Sequence, residues 1–183
     1  MNYATIKKCD IANGPGVRVS LFVSGCTHHC KGCFNQVAWD FDYGQPFTQE
    51  TIDSILAMLK PAYVKGITLL GGEPFEPQNQ PALVDMLRQI KANYPEKSIW
   101  AFSGYLFDKD ILPGRLGDPA ITWEILSYLD VLVDGRFVEE KKDLTLRFRG
   151  SSNQRIIDVP ASLAAGEVVL WQDWQGHGRG MKG

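Results

Sequence analysis

The chain has 183 residues, 44% of them hydrophobic and 22% charged, with a formal net charge of -2. That is enough chain for one domain with a substantial buried core. The charge balance argues against a general nucleic-acid binder, which carries a basic excess, and no apolar run approaches the roughly 18 residues that span a bilayer. Met1-Asn2-Tyr3-Ala4-Thr5-Ile6-Lys7-Lys8-Cys9-Asp10 lacks the apolar centre of a signal peptide, so a cytoplasmic protein with reduced thiols is expected.

Asn13-Gly14-Pro15-Gly16 is a turn signal, and the β-branched run Val17-Arg18-Val19-Ser20-Leu21-Phe22-Val23 after it predicts a strand. The strand leads into residues 21–35, which hold three of the four cysteines. An aromatic, polar passage over residues 39–47 follows. Thr48 then reads as an N-cap with Glu50 in the first turn, and Ile52, Ile55, Leu56 and Leu59 keep the spacing of a helix with one buried face. That helix should stop near Pro61.

Gly66-Ile67-Thr68-Leu69-Leu70 predicts a short strand running into Gly71-Gly72-Glu73-Pro74. Pro81 opens a second helix, with Leu83, Met86, Leu87 and Ile90 at helical spacing. Ser98-Ile99-Trp100-Ala101-Phe102 predicts a strand ending in Ser103-Gly104-Tyr105. Asp118-Pro119 caps a helix through Leu129, and Val131-Leu132-Val133-Asp134 predicts a strand ending at Gly135. Strand and helix alternating in this way predict an α/β fold whose parallel strands are joined by crossovers.

In a parallel sheet the loops after Val23, Leu70, Phe102 and Val133 share one rim, where α/β folds place ligand sites. A closed barrel takes about 250 residues. The expected architecture is therefore a partial, open (β/α) barrel of parallel strands over residues 1–158, with residues 159–183 as a C-terminal extension, partly ordered at best.

Past Gly135 the charged segment carries Arg136, Lys141, Lys142, Arg147, Arg149 and Arg155 against Glu139, Glu140 and Asp143, with a strand candidate at residues 144–148. It reads as a solvated surface, or alternatively as a docking face or arginines that hold an anion by forked hydrogen bonds. The extension has an apolar run, Val168-Val169-Leu170-Trp171, and then Gly176-His177-Gly178-Arg179-Gly180, expected to be loosely ordered.

Cys26-x-x-x-Cys30-x-x-Cys33 in a glycine-punctuated loop can turn three thiols toward one point. Two readings follow from the spacing. A structural zinc site would recruit His28, His29 or Cys9 as its fourth ligand. An iron-sulfur cluster bound by three cysteines would leave one iron open to an outside ligand. Cys9, away from the others in sequence, is expected to be a small buried core residue.

Cys26, Cys30 and Cys33 followed by Phe34, together with Gly71-Gly72-Glu73-Pro74 after the second predicted strand, resemble the radical S-adenosylmethionine enzymes. The resemblance implies a 4Fe-4S cluster on Cys26, Cys30 and Cys33, with S-adenosylmethionine chelating the fourth iron. Reductive cleavage would then give methionine and a 5'-deoxyadenosyl radical that abstracts hydrogen. By motif matching, Gly32, Cys33 and Phe34 border the adenine side, and Gly71, Gly72 and Glu73 present backbone to the methionine end.

A narrower set of segments is similar to the activating-protein family of anaerobic ribonucleoside-triphosphate reductase. These are Asn13-Gly14-Pro15-Gly16-Val17-Arg18, Leu21-Phe22-Val23-Ser24-Gly25-Cys26, Cys33-Phe34-Asn35, Gly44-Gln45-Pro46-Phe47, Pro77-Gln78-Asn79, Val133-Asp134-Gly135 and Arg149-Gly150-Ser151-Ser152-Asn153-Gln154-Arg155. The likeness implies that the large reductase is the protein substrate, that one of its glycines becomes a glycyl radical, and that reduced flavodoxin or a similar carrier is the electron donor. Glu73 stands where that family more often has Asp, which leaves the related activase of pyruvate formate-lyase as the alternative. A non-catalytic zinc or iron-sulfur protein would leave the glycine motif without a task.

Overall fold

The computed structural model describes residues 1–172. Its strands are β1 (Asn2–Asp10), β2 (Val17–Val23), β3 (Gln45–Pro46), β4 (Val64–Gly71), β5 (Ser98–Phe102), β6 (Val131–Asp134) and β7 (Arg155–Asp158). They form one sheet in the order β3-β1-β2-β4-β5-β6-β7. The four middle strands are parallel, with Val19 beside Ile67, Ile67 beside Ile99, and Ala101 beside Leu132. On the flanks β1, β3 and β7 pair antiparallel. The sheet does not close, in keeping with an open partial barrel.

Alternation along the strands gives the sheet two faces. On one, Val19, Leu21, Val23, Ile67, Leu69, Ile99, Ala101 and Leu132 are buried in the main core. Three helices pack there: α1 (Gln49–Leu59), α2 (Gln80–Asn93) and α3 (Pro119–Tyr128). Each contributes the stripe its spacing predicts, such as Leu83, Met86, Leu87 and Ile90 of α2. Burying one such side chain contributes about 1.5–3 kcal/mol. The Asp118 carboxylate caps α3 by accepting from Ala120 N at 2.9 Å, and Pro119 fits the first turn because it lacks the N–H that would go unbonded there. The other face carries a smaller cluster of Trp100, Val131 and Val133, packed by Phe102, Phe148, Ile156 and Trp171.

Three expectations are corrected. The flanking antiparallel strand β1 is absent from the sequence reading, because Asn2–Asp10 is half-exposed and lacks a clean apolar alternation. Cys9 is exposed rather than buried, since it lies toward the end of flanking β1, whose outer edge is paired by β3 only at Asn2 and Tyr3. Residues 144–148 form turns and not a strand; Leu144 points to solvent while Phe148, at φ 57°, places its ring 5.5 Å from that of Trp100.

The extension begins with α4 (Val159–Ala165), capped by Asp158. Residues 168–171 then return beside β7, with Asp158 N donating to Val169 O and Trp171 N to Ile156 O, each at 2.9 Å. The Trp171 ring lies 5.1 Å from Trp100. The glycine-rich run from Gly176 to Gly180 lies outside the described residues.

Candidate active site

The four loops at the C-terminal ends of the parallel strands do meet. Ser103 N donates to Val133 O at 2.9 Å, and Gly135 N to Tyr105 O at 3.3 Å. The His28 and Tyr105 rings are 4.3 Å apart, and Lys31 pairs with Glu139 at 3.1 Å. The cysteine loop thus lies between the glycine-motif loop on one side and the loop after β6 on the other.

Close backbone approach joins the first two. Gly72 N donates to Val23 O at 2.7 Å and Glu73 N to Gly25 O at 2.8 Å. A Cβ on Gly72 would run into the Gly25 and Ala38 carbonyls, and one on Gly25 into the Phe41 ring. Glycine is required at both places because backbone lies against backbone or ring. Since these two N–H groups bond within the protein, any contact from Gly72 or Glu73 backbone to a ligand comes from the carbonyl and Cα side. Asn79 Nδ2 adds bonds to Ser24 O at 3.0 Å and Glu73 O at 2.9 Å.

The side chain of Glu73 is buried, with 1% exposure, and accepts four bonds. Oε1 takes Phe75 N at 2.8 Å and Ser103 Oγ at 2.9 Å; Oε2 takes Gly104 N at 2.7 Å and His28 Nε2 at 3.0 Å. With the carboxylate acting only as acceptor, the imidazole is the donor. Glu76, also buried, accepts from Thr27 N at 2.8 Å and Thr27 Oγ1 at 2.6 Å through one oxygen. Two carboxylates from the glycine-motif loop therefore hold two neighbouring residues of the cysteine loop.

Cys26 is buried, and Cys30 and Cys33 are half-buried. Burial pushes the Cys26 thiol up to about 12, with Glu73 and Glu76 adding to the rise and the amides of His28 and His29 opposing it. Burial also raises Cys30; the Phe137 amide and Arg136 pull the other way. Asn35 N lies 3.4 Å from Cys33 Sγ. Raised in this way, the Cys26 and Cys30 thiols hold their protons until a cation displaces them. Among the described residues, no three His, Cys, Asp or Glu side chains already converge on one point at metal-ligating distance.

The donor set nonetheless fits an iron-sulfur cluster. Cys33 Sγ accepts from Asn35 N at 3.4 Å, the kind of N–H···S bond that tunes cluster thiolates, and nearby amides oppose the rise of the Cys26 and Cys30 thiols. Of the other candidate ligands, His28 spends Nε2 on Glu73 and keeps only Nδ1 free, His29 stacks its ring on Trp39 at 4.6 Å, and Cys9 lies near the β2 start, a strand-length from Cys26. Three of the four buried side-chain atoms without a partner among the described residues also belong to these loops, namely Ser24 Oγ, His28 Nδ1 and Asn153 Oδ1. A polar ligand on the rim would give them partners.

Gly32 lies against the Glu139 side chain, and Phe34 is 84% exposed at the outer end of the loop. Of the arginines read alternatively as anion holders, Arg155 is used internally, because its guanidinium forks onto Asp134 and reaches Asp108. Thr27 and Glu76 were missed as site-building residues, His28 was weighed only as a zinc ligand, and Asn79 figured only in a matching segment. For Thr27 and Glu76 the sequence signal is proximity to the two motifs.

Residues 12–157 match the family model described as a 4Fe-4S single cluster domain. The chain is 43% identical over 158 residues to the anaerobic ribonucleoside-triphosphate reductase-activating protein of Vibrio cholerae, covering 85% of this chain and 97% of that protein. The protein of the same name from Enterobacteria phage T4 is 42% identical over 85% of this chain and 93% of its own length. That from Escherichia coli K12 is 43% identical over 84% and 96% respectively.

Proposed function

Because this chain belongs to the 4Fe-4S single-cluster family, among the anaerobic ribonucleoside-triphosphate reductase-activating proteins, we propose that it activates that reductase from the rim described above. Cys26, Cys30 and Cys33 hold three irons of a 4Fe-4S cluster and leave the fourth to S-adenosylmethionine. When bound, these groups supply one-electron cleavage to methionine and a 5'-deoxyadenosyl radical, which takes a hydrogen atom from a glycine of the reductase.

The protein's own part is placement. Gly32, Cys33 and Phe34 border the adenine side. Gly71, Gly72 and Glu73 face the methionine end through carbonyl and Cα. Glu73 keeps the cysteine loop, its own loop and the loop after β5 in one arrangement, which holds the reacting groups at fixed separation. The open sheet lets a loop of another protein approach the rim, as a macromolecular substrate requires.

Reduced flavodoxin or a similar one-electron carrier is the donor. No helix among the described residues is long and apolar enough to cross a membrane. Reduced thiols suit the cytoplasm, where we place the protein.

The observation that carries this reading is the three-thiol loop pinned to the glycine-motif loop through His28 on Glu73 and Thr27 on Glu76. Anaerobic reconstitution with iron and sulfide should give about four irons per chain. Addition of S-adenosylmethionine, reductant and the reductase should then yield 5'-deoxyadenosine and a glycyl radical signal. Zinc without iron after anaerobic purification, or no 5'-deoxyadenosine from the reduced iron-loaded protein, would overturn it.

A further inference from the structure

Resting on that reading, we propose that Glu76 is a positioning residue: by holding Thr27, it keeps the turn between Cys26 and Cys30 in register with Gly71 and Gly72. The cysteine loop needs such a device. Cys26 N donates to Trp39 O at 3.2 Å, and among the described residues the next backbone amide of the loop to find a backbone carbonyl is Cys33 N, which donates to Cys30 O at 3.1 Å. From Thr27 to Gly32 the loop's position is therefore set by side chains.

Two of those anchors are carboxylates. Glu73 reaches His28 but also serves Phe75, Ser103 and Gly104. The bonds described for Glu76 go to Thr27 alone. Its own backbone is firm, with Glu76 N donating to Glu73 O at 3.2 Å, and Glu76 O accepting from Asn79 N at 2.8 Å at the start of α2. The Thr27 hydroxyl also lies 3.4 Å from the Tyr105 hydroxyl, which extends the contact to the loop after β5. Burying a carboxylate is costly unless it is bonded, so a buried one spent on a single loop residue indicates that the loop's placement matters. Glu76 stands outside the glycine motif and bonds to none of the thiols; its charge adds to the rise of the Cys26 thiol, and its hold on the loop runs through Thr27.

The test starts with the unloaded protein. In Glu76→Ala the Thr27 amide should exchange with solvent about tenfold faster than in the natural sequence, the scale expected from losing bonds to a charged acceptor. After reconstitution, iron per chain should be unchanged. KM for S-adenosylmethionine should rise about tenfold with kcat within about twofold, because ground-state placement and not the chemical step is affected. The change that S-adenosylmethionine produces in the paramagnetic resonance spectrum of the reduced protein should weaken in parallel. Glu76→Gln, whose carbonyl oxygen can accept the same two bonds, should recover KM to within about threefold.

Exchange of the Thr27 amide at the natural rate, or an unchanged KM, overturns the proposal. So does iron loss in step with activity at constant KM, which assigns Glu76 to folding or cluster retention. If Glu76→Ala fails to fold by circular dichroism, Thr27→Val takes its place, with about a threefold rise in KM expected and no rise overturning the proposal. Failure of the natural sequence to form 5'-deoxyadenosine sinks the functional reading instead, while the exchange experiment still decides whether Glu76 fixes the loop.

Discussion

At the start of the parallel strands, Arg18 is fully buried and spends its guanidinium on the sheet itself: Thr68 Oγ1 at 2.8 Å, Ser98 Oγ at 2.9 Å, and the carbonyls of Ile67 at 2.7 Å and Ser98 at 2.9 Å. The group lies over the Trp100 ring, 5.6 Å from its centre. At the far end, Glu73 and Glu76 are equally buried but spend their oxygens on loops, and Ser24 Oγ and His28 Nδ1 beside them are left without partners. One end is a closed network that ties β2, β4 and β5 together. The other is an open network that places loops and keeps polar atoms in reserve. Buried charge thus marks stability where every bond stays inside the sheet, and function where the bonds hold loops around unpaired atoms.

The sharpest test of this contrast is at the open end. Cys26→Ala, Cys30→Ala and Cys33→Ala should each reduce 5'-deoxyadenosine formation to background and lower bound iron. Cys9→Ala, on exposed β1, should leave both intact and shift stability by less than about 0.5 kcal/mol. Iron loss in the Cys9 variant would bring the two ends of the sheet into one functional unit.

The closed end should answer in stability. Burial lowers the Arg18 group to about 10, with Asp130 and Asp10 opposing, so the surrounding bonds offset a real desolvation cost. Arg18→Met leaves four bonds unmade and should cost about 3–5 kcal/mol in urea unfolding, with KM for S-adenosylmethionine unchanged in the folded fraction. A normal melt combined with a raised KM would reverse the assignment.

The smallest effect concerns Asp10, beside Arg18 in the sheet. Burial alone would raise its carboxyl, but the nearby Ser20 hydroxyl, the Ala12 amide, the Asn13 side chain and Lys7 together hold it below the ordinary 3.8. A carboxylate whose folded value is lowered stabilises fully above its unfolded value, and that contribution disappears as pH falls through the folded value. Asp10→Asn should therefore cost about 1 kcal/mol at pH 7, and the difference in melting temperature from the natural sequence should shrink as pH drops below 3.8. A gap that widens in acid would contradict this origin.

Much of the molecule was legible in advance. The helical stripes of α1 and α2, the four parallel strands and the meeting of their loops follow from spacing and turn residues, which are local properties of the chain. The cysteine triplet and Gly71-Gly72-Glu73-Pro74 identified the rim for the same reason. β1 was not legible, because a half-exposed strand is stabilised by its neighbour more than by its own pattern. The inward turn of Phe148 was not either, since it depends on Trp100 and Trp171, distant in sequence.

The sequence by itself supplied the residues proposed for the chemistry: three thiols at a fixed spacing and a glycine pair, which the fold sets where backbone passes close to backbone. Only the tertiary structure decided which side chains hold them in place. Thr27 and Glu76 are 49 positions apart, and His28 and Glu73 are 45 apart. The physical reason is that a buried carboxylate finds its donors through the fold of the sheet, and no local periodicity records which loop will supply them.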